Sequence, residues 1–176
     1  MSMRKTVGGA VCSIAVIAGL VVELYPADIR TSKEGLMLIG NAEGCRRDPY
    51  KCPANRLTVG VGSTRDVTPG KRYTDEEIAQ LWVRDIKDAE DCVNRYFNGK
   101  HMPQRAFEAM TSLVFNVGCY GVRWNRKKNQ ATQIYREAQA GNWSAMCYRM
   151  TDFSYSAGKP ILRPRREEEV AWCLGK

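Results

Sequence analysis

One histidine, His101, and no Cys-x-x-Cys pair occur in the 176 residues. Imidazoles and paired thiolates are the usual zinc ligands, so no metal site is expected. His101 has no Ser or Cys partner that the sequence places beside it, which removes a nucleophilic triad from consideration. Internal repeats and low-complexity tracts are also missing, which sets aside repeat architectures. No apolar run reaches the roughly 20 residues that span a bilayer comfortably. The longest uncharged stretch, Val7 to Val22, is shorter and is diluted by Gly8, Gly9, Ala10, Ser13, Ala15, Ala18 and Gly19. Acidic residues are outnumbered by basic ones, giving a net charge of +8 and a pI near 9.2. Such a chain is drawn to polyanions. Its basic residues are scattered and form no nucleic-acid-binding motif, so no nucleic-acid partner is expected. Anionic lipid, lipopolysaccharide or cell-wall polymer fits the charge better.

What is present begins with a basic start, Arg4 and Lys5, followed by the weak apolar run and then Glu23-Leu-Tyr-Pro26. The layout is that of a signal peptide, but no clean small-x-small cleavage site closes it. Residues 1–26 therefore read as an uncleaved membrane anchor with its N-terminus inside, by the positive-inside rule. Each Leu replaced by Gly or Ala lowers the cost of leaving lipid, since burial contributes roughly 0.8 kcal/mol per CH₂. Residues 27–176 form the remaining domain, a size suited to one domain of two lobes.

Thr31 or Ser32 caps a first helix whose apolar positions Leu36 and Ile39 lead to Glu43. Residues 45–72 read as a hairpin and loops. Thr74-Asp-Glu-Glu77 is a capping box that opens the longest helix, striped by Ile78, Leu81, Trp82, Ile86, Ala89, Val93 and Phe97 and ended by Asn98-Gly99. Pro103 starts another helix, which Gly118 stops. A basic loop over 123–128, helices near 131–140 and after Asn142, an exposed loop over 154–163 and a last helix from Pro164 to Leu174 complete the chain. The fold class is α+β and mostly helical: a small hairpin lobe (about 45–73), a helical lobe (about 92–176) and a long helix between them.

The most informative stretch runs from Ile39 to Gly62. Glu43 closes a helix, and Thr58-Val-Gly-Val-Gly62 follows two turn signals, Asp48-Pro49 and Pro53-Ala-Asn55. A carboxyl at a helix end thus faces a hairpin that carries a hydroxyl, which makes a cleft. Glu43, eight residues, Cys52, five residues, Thr58 is a pattern that resembles the phage-type lysozymes, glycoside hydrolase family 24, where Asp or Cys takes the second position. Gly60-Val-Gly62, Phe115-Asn116-Val-Gly118 and Arg165-Arg166 continue the likeness, which covers about residues 31–174. Combined with the weak anchor, the chain resembles signal-arrest-release endolysins.

The resemblance implies hydrolysis of the β-1,4 bond between N-acetylmuramic acid and N-acetylglucosamine in peptidoglycan glycan strands, causing host cell lysis. It implies a lysozyme-like fold, no cofactor, and a monomer held at the periplasmic face of the host inner membrane and then free in the periplasm. Glu43 would be the general acid, and burial against Leu36, Ile39 or Tyr50 would help it hold its proton. Arg166 would lie close to Glu43 and oppose that effect. Cys52 would replace a second carboxylate, as thiol or thiolate, and Thr58 would hold the attacking water. Water-mediated attack implies inversion and groups about 6.5–9.5 Å apart. Asp48 reads as a turn residue before Pro49. A lytic transglycosylase, or an inactive tethered wall-binding protein, are the competing readings.

Seven cysteines is an odd count. Cys45 and Cys52 are close enough in sequence to bridge across a turn. Such a bridge would lock Cys52. Cys12 could attack it once the anchor leaves lipid, take Cys45 and free Cys52, an exchange that related tethered endolysins use. Three pairings are possible for Cys92, Cys119, Cys147 and Cys173. Cys92 with Cys119 and Cys147 with Cys173 are favoured because each joins neighbouring helices.

Overall fold

The long helix α3, Asp75–Tyr96, carries the architecture. Its N-cap Thr74 accepts from the Glu77 backbone, and the Glu77 side chain accepts in return from the Thr74 backbone, completing the capping box read from the sequence. One end of its apolar stripe, Ile78, Trp82 and Ile86, belongs to a core with Leu36, Ile39, Val59 and Val61. The other end, Val93 and Phe97, belongs to a second core with Phe107, Met110, Leu113, Ile134 and Met146. One amphipathic helix thus joins two lobes.

The structure is a computed structural model that describes residues 11–52 and 54–176. Arg4, Lys5, Gly8, Gly9, Ala10 and Pro53, which figure in the sequence reading, lie outside the described residues. The small lobe holds α1 (Ile14–Leu24), α2 (Lys33–Glu43) and an antiparallel hairpin of β1 (Arg46–Lys51) and β2 (Leu57–Gly60). The helical lobe holds α4 (Gln104–Val117), α5 (Cys119–Arg123), α6 (Gln133–Gln139), α7 (Trp143–Tyr148) and α8 (Arg163–Cys173). The segment expected to be a basic loop holds a second, minimal hairpin, β3 (Trp124–Asn125) with β4 (Gln130–Ala131). Asn129 is left-handed, and Asn125 Oδ1 accepts from the Lys128 backbone, so side chains close that turn. Two-residue strands carry too little alternation to be read from sequence.

The described part of the segment read as an anchor, residues 11–26, packs against this fold. In α1, Ile17, Ala18 and Val21 are fully buried in the first core, and Val16 and Leu24 stay about half exposed at 49% each. Close approach to α2 depends on Gly40, where a Cβ would stand 2.5 Å from Ile14 Cγ2. Residues on both sides of position 26 therefore share one core. The apolar face that would dissolve in lipid is satisfied equally by Leu36, Ile39 and Trp82, because both environments reward the same surface. No helix among the described residues is long and apolar enough to cross a membrane.

Docking of α1 predicts unequal effects along one helix. Ile17→Ala should lower stability by about 2–5 kcal/mol in urea unfolding, and Val16→Ala by less than about 0.5 kcal/mol. Equal effects would mean that α1 is not packed in solution.

Candidate active site

Helix α2 is held at both ends by the helical lobe. At its start Ser32 Oγ accepts from Gly35 N at 3.1 Å, and Ser32 N donates to Glu108 Oε1 at 2.9 Å. Gly35 is needed there, since a Cβ would come within 2.8 Å of the Glu108 carboxyl carbon. Just upstream, Thr31 N and Oγ1 donate to Glu90 Oε1 at 2.7 and 2.6 Å. Arg30 donates to the carbonyls of Gly99 and Met102 and lies over the Phe107 ring at 4.2 Å. Residues 30–32 are thus latched by two buried carboxylates, Glu90 and Glu108.

At its other end α2 closes on Glu43, and Gly44, with φ +72°, turns the chain into β1. Glu43 Oε1 accepts from Arg165 Nη1 at 2.6 Å, with the Glu43 side chain 21% exposed. The arginine in contact is therefore Arg165, one position before the expected Arg166. A single step on a helix rotates a side chain by about 100°, and α8 turns Arg165 toward α2 and Arg166 inward. Arg166 is fully buried, donates from Nη2 to Asn116 Oδ1 at 2.6 Å, and sets Nη1 3.0 Å from Glu169 Oε2 as a misaligned charge contact. Glu169 Oε1 also accepts from Arg165 Nε at 3.1 Å and from Ser112 Oγ at 2.6 Å. Glu169 escaped the sequence reading because Glu167-Glu168-Glu169 looks like a solvated run. Its position four residues after Arg165 and three after Arg166 was the available signal.

The hairpin supplies the facing wall. Tyr50 is paired with Thr58 across the strands. Thr58 is buried, and its Oγ1 donates to Arg56 O at 3.0 Å. Hydrogen bonds from the Arg56 backbone, and then from Thr58, hold the Cys52 thiol below its ordinary pKa, with a smaller contribution from the Ala54 backbone. Burial pushes the Tyr50 hydroxyl up; Arg46 opposes, and Glu43 and Cys52 add to the rise. Gly60, with φ +61°, admits Ile78, whose Cγ2 would lie 2.7 Å from a Cβ. Gly62, with φ +85°, brings the chain past Glu43, where a Cβ would stand 3.6 Å from Glu43 Oε2. Glu43, Tyr50, Cys52, Thr58, Phe115 and Asn116 line one open cleft of about 780 Å³.

Outside the cleft, Asp48 lies within the irregular part of β1, not in a turn, and faces Arg72 at 3.4 Å. His101 ends a short 3₁₀ turn and contacts Asn98 Oδ1 at 2.7 Å.

Three disulfides are formed: Cys12–Cys45, Cys92–Cys119 and Cys147–Cys173. The two distal bridges are those favoured from helix order. The first joins the segment before α1 to the segment before β1, and Cys12 N also donates to Cys45 O at 3.3 Å. Cys52 is a free thiol.

The phage lysozyme family model matches residues 40–169, which include Glu43, Cys52, Thr58 and Glu169. The SAR-endolysin of Escherichia phage P1 is 49% identical over 173 residues, covering 95% of this chain and 92% of the relative. The SAR-endolysin of Haemophilus phage HP1 is 47% identical over 153 residues, covering 84% and 82%. The active form of the P1 phage endolysin Lyz superposes with a TM-score of 0.88 at 48% identity, covering 96% of this chain and 97% of that one. Its secreted inactive form reaches only 0.60 at the same identity, covering 82% and 96%. Sequence, cleft and fold agree that this chain belongs to the phage lysozyme family.

Proposed function

We propose that this lysozyme is a signal-arrest-release endolysin that cleaves the β-1,4 bond between N-acetylmuramic acid and N-acetylglucosamine, with Glu43 as general acid. The observation that carries the reading is the cleft that Glu43, Cys52 and Thr58 share. Glu43 gives its proton to the leaving glycosidic oxygen. Cys52, its thiol pKa lowered by the Arg56 backbone and Thr58, supplies negative charge where relatives with Asp place a carboxylate. Thr58 orients the water that attacks from the opposite face, so the product is inverted. Arg165 fixes the Glu43 carboxyl at the cleft edge.

Regulation follows from the same sulfur. Residues 1–26 hold the chain at the periplasmic face of the inner membrane while Cys45 bridges Cys52 and blocks the cleft. Release brings Cys12 to Cys45. The Cys12 thiolate attacks Cys45 Sγ, the Cys45–Cys52 bond breaks, and Cys52 leaves as the thiolate, so no oxidant is consumed. The disulfide pattern described above is that of the released state, and its greater likeness to the active relative supports this order. The released protein then acts in the periplasm as a monomer.

Glu43→Gln should abolish clearing of permeabilised cells, by at least about 10²-fold, with the fold intact by circular dichroism. Near-full activity would remove the assignment. Cys52→Asp should stay active and become indifferent to thiol alkylation, whereas alkylation should silence the parent. Cys12→Ser should remain inactive after release, and full activity in that variant would exclude the exchange. Product masses should show reducing ends; anhydro ends would indicate a transglycosylase.

A further inference from the structure

The proposed acid stands beside two consecutive arginines of one helix. From α8, Arg165 touches Glu43 at 2.6 Å, and Arg166, the next residue, is fully buried against Glu169. From the hairpin wall Tyr50 and Cys52 face the same cleft, and from α4 Ser112 and Asn116 close the cluster. Among the described residues, the anion that meets both guanidinium groups is Glu169, with Arg165 Nε at 3.1 Å and Arg166 Nη1 at 3.0 Å. Its side chain is 1% exposed, and Ser112 Oγ completes its coordination at 2.6 Å.

Counting formal charges shows what Glu169 changes. With Glu43 protonated, as an acid must be, two arginines and one carboxylate leave a buried charge of plus one. Without the Glu169 charge, two adjacent cations, each at most 10% exposed, would have among the described residues only Glu43 as counter-ion. That arrangement expels the proton from Glu43, because buried like charges at this range are poorly screened. We infer that Glu169 is a positioning residue for catalysis: it neutralises the Arg165–Arg166 pair and holds Arg165 by its Nε edge, so that Glu43 can carry a transferable proton. Burial leaves the Glu169 pKa above its ordinary value, with Arg166, Ser112 and Arg165 opposing the rise; in this inference the two guanidinium contacts, at 3.1 and 3.0 Å, hold its charge.

This inference rests on Glu43 as the acid, and one pH series separates the two. The released, full-length protein is assayed for peptidoglycan hydrolysis across pH as parent, Glu169→Gln, Arg166→Gln and the double variant. Glu169→Gln should move the alkaline limb of the activity profile down by about 1–3 pH units, a loss of about tenfold per unit above it, with activity recovered at lower pH. Arg166→Gln should move the limb upward, and the double variant should return it close to the parent. Glu169→Asp, which keeps the charge, should leave the limb near its parental position. A purely structural role would lower activity at every pH without moving the limb, and that result overturns the inference. If Glu169→Gln does not fold, Arg166→Gln reads the same balance with opposite sign, and an unmoved limb there is equally decisive. Activity surviving in Glu43→Gln would instead remove the acid assignment itself.

Discussion

The Cys12–Cys45 bond is the constraint on which the rest of the structure depends. It fastens the start of α1 beside the hairpin, completes the core of the small lobe around Ile17, Ala18 and Val21, and leaves the Cys52 thiol open in the cleft. A covalent tie limits the loss of α1 to solvent, because it removes chain freedom from the undocked state. The same bond keeps Cys45 away from Cys52. Under the proposed exchange, packing of the small lobe and access to the cleft are linked through one sulfur.

A second organising feature is the way α2 is clamped by charges from the helical lobe. Its first turn hangs on Glu108, the chain before it on Glu90, and its last residue on Arg165. Buried ionic groups contribute little net stability, since desolvation offsets their attraction, but removing one partner is costly. Their effect here is positional: they set the helix that carries Glu43 against both lobes. The cleft is then bounded by one rigid helix end and one hairpin whose glycines permit close approach.

Much of the fold was legible where local chemistry and global packing agree. Thr74 and Glu77 form the capping box that the sequence spells, Gly118 ends α4, and the stripe from Ile78 to Phe97 joins both cores. Glu43, Cys52 and Thr58 were legible because their spacing resembles the phage-type lysozyme pattern, and they line a single cleft. The destination of α1 was not, because an apolar helix with small residues suits lipid and a protein core alike. The buried carboxylates Glu90, Glu108 and Glu169 were not legible either, since nothing in a single charged residue distinguishes a solvated face from a coordinated interior. The shift from Arg166 to Arg165 arose because one residue of helical phase decides which side chain faces α2.

The central claim is most directly tested by differential alkylation followed by mass mapping of cysteine peptides in membrane-bound and released protein, each fraction assayed for lysis. The account predicts a Cys45–Cys52 bridge in the inactive bound fraction, and a Cys12–Cys45 bridge with Cys52 alkylated in the active released fraction. A released, fully active protein that retains Cys45 joined to Cys52 would contradict it.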